Sequence, residues 1–167
     1  MVDEEDKKEA REDAYRLISY RDRSVFELRK RLLKKGHDQD VIDEIIPRIK
    51  ELDYLNDKRF AKKWVRHKVK HSPKGKYLLI KELKDKGVSK KIINEALNTE
   101  YPYSLEFETA LKLAVKWRNK SHNKNKDLVK LKVYLKNKGF RYEIISDVIK
   151  EISDWLKKLN LIRNEVK

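Results

Sequence analysis

Cysteine is absent from the chain, which rules out a disulfide framework and any Cys-ligated zinc site and fits a reducing compartment. Glycine occurs four times and proline three times in 167 residues, too rarely for a turn-rich β-protein or a low-complexity linker. No stretch approaches the roughly 20 consecutive apolar residues a membrane helix requires, and the first thirteen residues, MVDEEDKKEARED, are acidic where a secretory leader would be basic and then apolar. A cytoplasmic protein without a membrane partner is expected. The catalytic signatures are missing too: the isolated glycines build no phosphate-cradling loop, and no nucleophile–base pattern is present. His67 and His71 have the i, i+4 spacing of a zinc pair, but no cysteine or nearby acid completes the set, and Arg66, Lys68 and Lys70 would repel a cation. The chain is therefore read as a non-enzyme with no metal or cofactor.

What is plentiful is charge: 43% of the residues are Asp, Glu, Lys or Arg, the formal net charge is +15, and 39% hydrophobic residues remain to build a core. The fifteen aromatic residues (three Trp, eight Tyr and four Phe), with many Leu and Ile, are enough to order the chain.

Self-similarity organises it. The segments LRKRLLKKGHDQDVIDEII (28–46), LIKELKDKGVSKKIINEAL (79–97) and LKVYLKNKGFRYEIISDVI (131–149) share one register. Leu28, Leu32, Gly36, Ile42 and Ile46 correspond to Leu79, Leu83, Gly87, Ile93 and Leu97, and then to Leu131, Leu135, Gly139, Ile145 and Ile149. Leucines at i and i+4 mark the buried face of a helix, and the glycine four residues on supplies the positive φ that closes it. Asp38 and Ser89 then stand where an N-cap is needed, with Arg141 in the third copy. Ser24 and Glu27 form a capping box ahead of Leu28, and Ser72–Pro73 reads as a similar start in the second copy.

A helix precedes each pair, carrying Ala10, Ala14, Leu17 and Ile18, then Phe60, Ala61, Trp64 and Val65, then Phe107, Leu111, Ala114 and Trp117. These aromatics read as core. Pro47 predicts a kink or restart in the helix after Val41, residues 121–126 (SHNKNK) read as a loop, and residues 154–167 as an extension of the last helix. The fold class is all-α: three tandem three-helix repeats over 1–55, 56–101 and 102–167, expected to form an elongated, curved array, because a unit of about 50 residues buries too little surface alone.

Charge divides unevenly among the repeats. Residues 1–55 carry 13 basic against 15 acidic side chains, residues 56–101 carry 14 against 5, and residues 102–167 carry 16 against 8. Between 58 and 76 stand Lys58, Arg59, Lys62, Lys63, Arg66, Lys68, Lys70, Lys74 and Lys76 without an acid. Lys58, Lys62, Arg66 and Lys70 follow i+4 steps, so they share one helix surface and repel one another, a repulsion a polyanion would relieve.

The stretches YRDRSVFELRKRLLKKG (20–36), LDYLNDKRFAKKWV (52–65) and KELKDKGVSKKII (81–93) resemble the RecX regulatory proteins, and the resemblance runs from about Ala10 to Ile152. Asp53 stands where that family commonly has Gly, and Asn56 where it has Asp. The resemblance implies a monomer that binds the RecA recombinase filament on single-stranded DNA, possible contact with double-stranded DNA included, and lowers the filament's recombination, ATPase and coprotease activities. The motif residues Arg21 and Arg23 join Lys58, Arg59, Lys62, Lys63, Arg66, Lys70, Lys74 and Lys76 as candidate partner contacts. Arg21 and Arg59 either meet a partner or pair with Asp22 and Asp57. The competing reading is a stand-alone basic DNA-binding protein with helix-turn-helix-like repeats, although the exposed positions of residues 41–49, 92–98 and 144–149 offer few base-reading side chains.

Overall fold

A computed structural model of the chain describes residues 3–120 and 127–165. Among these residues there are nine helices and no strand, arranged as three successive three-helix repeats. The first comprises α1 (Glu4–Tyr20), α2 (Val25–Lys34) and α3 (Gln39–Glu51); the second α4 (Asp57–His71), α5 (Lys76–Asp85) and α6 (Lys90–Glu100); the third α7 (Tyr103–Lys120), α8 (Leu128–Asn137) and α9 (Tyr142–Glu165). The expected loop at 121–126 lies outside the described residues, while the expected extension of the last helix is the second half of α9.

The shared register is the core. Leu28, Leu32, Leu79, Leu83, Leu131 and Leu135 are fully buried, and Ile42, Ile46, Ile93, Leu97, Ile145 and Ile149 are buried in the helix that follows. Ala10 and Ala14, Ala61 and Val65, and Ala114 are equally enclosed on the leading helices, where small residues let the pair behind them approach. Three of the four expected core aromatics, Trp64, Phe107 and Trp117, are only half-buried; Trp64 donates its indole N–H to Glu82 at 3.0 Å while Lys86 Nζ sits 4.1 Å over its ring, and Trp117 stacks on Tyr134.

Every second helix ends alike. His37, Val88 and Phe140 donate their N–H groups back to Leu32, Leu83 and Leu135, and Gly36, Gly87 and Gly139 stand between at φ +98, +72 and +81. This is the left-handed C-terminal closure anticipated from the glycine spacing. α3 closes in the same way without glycine: Tyr54 N–H reaches the Ile49 carbonyl, and Asp53 takes the left-handed place at φ +54. Its carboxylate is held by the Asn56 amide (2.9 Å) and the Arg59 guanidinium, while Asn56 Oδ1 caps α4 by accepting from Arg59 N–H at 3.0 Å. A side-chain clamp thus holds Asp where glycine would be free of strain.

Several local expectations are corrected. α3 runs through Pro47 without a restart, because Ile45, Ile46 and Ile49 on both sides of the proline are anchored in the core. Asp38 has N-cap backbone geometry but its side chain makes no capping bond, whereas Ser89 does cap α6 as expected, its Oγ accepting the Ile92 N–H at 3.4 Å. α5 starts at Lys76 and not at Ser72–Pro73, which belong to the turn that leaves α4. The Ser24–Glu27 capping box is present.

The chain packs as two compact units that do not follow the repeat boundaries. One contains Met1–Val65 and Lys81–Thr99, the other Arg66–Ile80 and Glu100–Lys167, so each terminal repeat folds with part of the middle one. Inside each unit the junction between repeats has one plan. In the first, Ser24 Oγ donates to the Lys86 carbonyl at 2.6 Å, and Asp57 accepts the Val25 N–H at 2.9 Å. In the second, Gly75 N–H takes the role of Ser24 and donates to the Lys138 carbonyl at 2.8 Å, and Glu106 accepts the Lys76 N–H at 3.1 Å. The start of one second helix is therefore pressed on the closing turn of the next. A methyl group on Gly87 would lie 2.3 Å from Phe26 Cβ, and one on Gly139 would lie 2.6 Å from Leu78 Cγ, whereas the space beside Gly36 is empty to 4 Å.

Gly36→Ala should consequently cost only the left-handed backbone penalty, about 1–2 kcal/mol, whereas Gly87→Ala and Gly139→Ala should each add about 1–3 kcal/mol of overpacking. Thermal melts of the three variants should rank Gly36→Ala the most stable; indistinguishable melting temperatures would refute the junction argument.

Candidate partner-binding surface

The basic helix is α4, and its cations are far more committed than their spacing suggests. In the first unit, Lys58 lies 3.5 Å from Glu95 and Lys63 2.8 Å from Asp22, while Arg59 pairs with Asp53. In the second, Arg66 Nε lies 2.8 Å from Glu100. Lys62 and Lys70 have no carboxylate within ion-pair distance among the described residues. Exposed pairs of this kind contribute roughly 0–1 kcal/mol each.

Lys76 is half-buried at the start of α5. Burial is the main influence on its ammonium and pulls its pKa down; nearby Glu106 opposes that and nearby Arg141 adds to it. Glu106 itself is wholly buried and is held by Arg141 through Nε at 3.0 Å and Nη2 at 2.8 Å. Arg141, which occupies the N-cap slot of the third repeat, thus neutralises a carboxylate that also binds the Lys76 N–H. Tyr101, fully buried beside them, donates its hydroxyl to the Lys74 carbonyl at 3.1 Å, and burial pushes its phenol well above the ordinary range. The Lys74 carbonyl and the Lys76 N–H are thus both tied into this internal network.

Arg21 and Arg59 do form ion pairs, but with different partners from those anticipated. Arg21 forks onto both oxygens of Glu27 at 3.2 Å and caps the Asp22 carbonyl, and Arg59 takes Asp53 while Asp57 is occupied by the Val25 N–H. Glu27 is a hub: besides Arg21 it accepts from Lys86 at 2.8 Å and from the Ser24 N–H. Its burial works to raise its pKa, but the Arg21 and Lys86 bonds outweigh that and hold it at about 2. Arg23 differs from the other candidates. It is only 8% exposed, donates Nε to the Leu17 carbonyl at 2.9 Å, and keeps Nη1 buried without a hydrogen-bond partner.

Sequence reasoning passed over the cations of α2. Lys30, Arg31 and Lys34 are exposed and lie outside every ion pair among the described residues, beside Arg23 and Phe26. The acidic α1 and α3 cancel them in a charge count, so only their i, i+4 grouping could have marked them. The His67 and His71 rings lie 4.7 Å apart, and no cluster of three metal-ligating side chains occurs among the described residues. No helix among those residues is long and apolar enough to cross a membrane.

Comparison with known proteins matches residues 10–48 to a model described as RecX, first three-helix domain, and residues 56–97 to one described as RecX, second three-helix domain. The chain is 33% identical over 142 residues to the regulatory protein RecX of Caldanaerobacter subterraneus subsp. tengcongensis, covering 85% of this chain and 70% of that one. It is 38% identical over 139 residues to the regulatory protein RecX of Bacillus pumilus, covering 82% of this chain. It spans about half, 52%, of that relative's length. Among solved structures, the crystal structure of RecX from Lactobacillus salivarius superposes with a TM-score of 0.82 at 32% identity, covering 89% of this chain and 97% of that one.

Because the folded Glu27 has its pKa lowered from 4.5 to about 2, its contribution is complete above the unfolded value and disappears as pH falls from about 5 toward 2. The shift corresponds to a contribution on the order of 3 kcal/mol for a side chain only 16% exposed. Urea melts of wild type and Glu27→Gln should differ most above pH 5 and converge near pH 2; a constant difference across that range would remove Glu27 as the acid-sensitive hub.

Proposed function

The chain belongs to the RecX family of regulatory proteins, and from that membership we propose that it binds the filament that RecA recombinase forms on single-stranded DNA and lowers the filament's recombination, ATPase and coprotease activities. The observation that carries this reading is the match of two successive three-helix domains, together with the superposition on a RecX crystal structure along nearly that whole chain. The surface chemistry supports it. Lys58, Lys62 and Lys63 in one unit, and Arg66, Lys70, Lys74 and Lys76 in the other, lie on or beside one basic helix. A filament on DNA offers phosphates and acidic protein groups repeatedly, so many weak pairs can add up to a tight complex without any catalytic centre. The expected site of action is the cytoplasm, where such filaments assemble.

A regulator of this kind acts by occupancy, so inhibition should follow the number of filament sites covered. Ending the chain near Tyr101 would remove α7–α9, which share a compact unit with Arg66–Ile80. Charge reversal on α4 is cleaner. The Lys62→Glu, Lys63→Glu, Arg66→Glu triple variant should keep its helical circular dichroism, yet need at least about tenfold more protein to halve recombinase ATP hydrolysis on single-stranded DNA. Wild-type protein that leaves the hydrolysis rate unchanged at saturating concentration would overturn the proposed function, and an unaltered triple variant would move the contact off α4.

A further inference from the structure

The first repeat junction contains a cleft of about 690 Å³ whose lining includes Arg21, Arg23, Phe26, Lys30, Arg31 and Lys34. Five of these six are cations. Two acids also line it, Glu27 and Asp85, and Glu27 is already consumed by Arg21, Lys86 and the α2 cap. Among the described residues, Lys30, Arg31 and Lys34 stand exposed on the rim without a carboxylate partner, while Arg23 is 8% exposed with its Nη1 unpartnered. An unpaired buried guanidinium N–H costs free energy until an acceptor reaches it. Phe26 is held with its side chain against Gly87 but remains 46% exposed, an aromatic surface fixed beside the cations.

We propose that this cleft seats single-stranded nucleic acid, with backbone phosphates on Arg23 and the Lys30, Arg31 and Lys34 rim and one base stacked on Phe26. The occupant follows from the combination. Phosphate oxygens satisfy a guanidinium in the plane of its N–H groups, and a stacking surface among cations rewards an unpaired base, which a duplex does not offer and an acidic peptide lacks. Burial, with the neighbouring Arg21 and Arg31 charges acting in the same direction, lowers the Arg23 pKa; an anion in the cleft would relieve that crowding. The second unit has a smaller cleft of about 310 Å³ at its own repeat junction, lined by Ser72, Lys74, Leu78, Tyr134, Asn137 and Lys138. Lys74 occupies there the repeat position of Arg23, and an aromatic ring again adjoins lysine. The counterparts of Lys30, Arg31 and Lys34 are Lys81, Glu82 and Asp85, so the cationic rim is particular to the first junction.

This inference rests on the proposed nucleoprotein partner, but its test is separate. Fluorescently labelled oligo-dT is titrated with the full chain over a range of salt, without recombinase. The Lys30→Gln, Arg31→Gln, Lys34→Gln variant should bind about tenfold or more weakly, with a log–log salt slope shallower by about 2–3, and melt like wild type. Phe26→Leu should weaken binding at unchanged slope, and Arg23→Lys, which keeps the charge but loses the planar fork, should do so partially. Wild-type affinity and slope in the rim variant would overturn the proposal. So would displacement of oligo-dT by poly-glutamate at equal charge concentration, which would mark a seat for acidic protein segments. Loss of oligo-dT binding in the rim variant, alongside wild-type protein that never inhibits recombinase, would uphold the cleft and reject only the recombinase reading.

Discussion

A helix end leaves carbonyls that something must satisfy, and here the next repeat depends on how that is done. The Lys86 and Lys138 carbonyls, at the ends of α5 and α8, are taken by Ser24 Oγ and Gly75 N–H at the starts of α2 and α5. This is possible only because the chain turns left-handed at Gly87 and Gly139 and offers no Cβ to the arriving helix. The hydrophobic register buries each repeat's own face, but this polar contact sets the distance at which repeats meet. Asp57 and Glu106 then take the first N–H groups of the helices that arrive, so both orphan sets at each junction are answered by a neighbour.

That arrangement also governs where charge can go. Carboxylates drawn into the junctions need cations beside them: Glu106 has Arg141, and Glu27 has Arg21 and Lys86. Arg21, Lys86 and Arg141 are therefore counter-charge to these carboxylates and not free surface. Lys62 and Lys70 on α4 and Lys30, Arg31 and Lys34 on α2 are among the cations that have no ion-pair partner among the described residues. Net charge governs the attraction of a polyanion at long range, whereas the local arrangement of unpaired cations governs where it can come to rest.

The fold was legible because its signals are periodic and local. Leucines four apart, a glycine four later and branched residues after it recur three times, and each of those slots has the same physical role in all three copies. The Ser24–Glu27 box was equally plain, being contained in four residues. What escaped was set by residues distant in sequence. Arg141 could be placed in the N-cap slot but not given its role, because Glu106, its partner, lies 35 residues away, and nothing near Gly75 in sequence marks it as the donor to the Lys138 carbonyl. Arg23 looked like one more surface cation until the packing of Leu17 showed it turned inward. The α4 row was visible as charge, but its pairings with Glu95, Asp22 and Glu100 were not. At Asp53 the missing glycine was apparent, while the Asn56 and Arg59 clamp that compensates for it was not.

The two junctions share a plan but not a fit, and this bears on how such a gene can change. An in-frame crossover between the first and second copies, joining them at the glycines 51 residues apart, would delete one repeat and bring Ser24 against the turn that Gly75 now meets. There a Cβ would fall 2.1 Å from the Gly139 carbonyl oxygen, closer than any side chain can stand. The backbone at that turn has no flexible end with which to give way. A repeat that reaches its neighbour through a serine hydroxyl and one that reaches it through a bare backbone N–H stand at different distances from the turn they meet, so the recombined chain would have to reset that spacing or exchange serine for glycine.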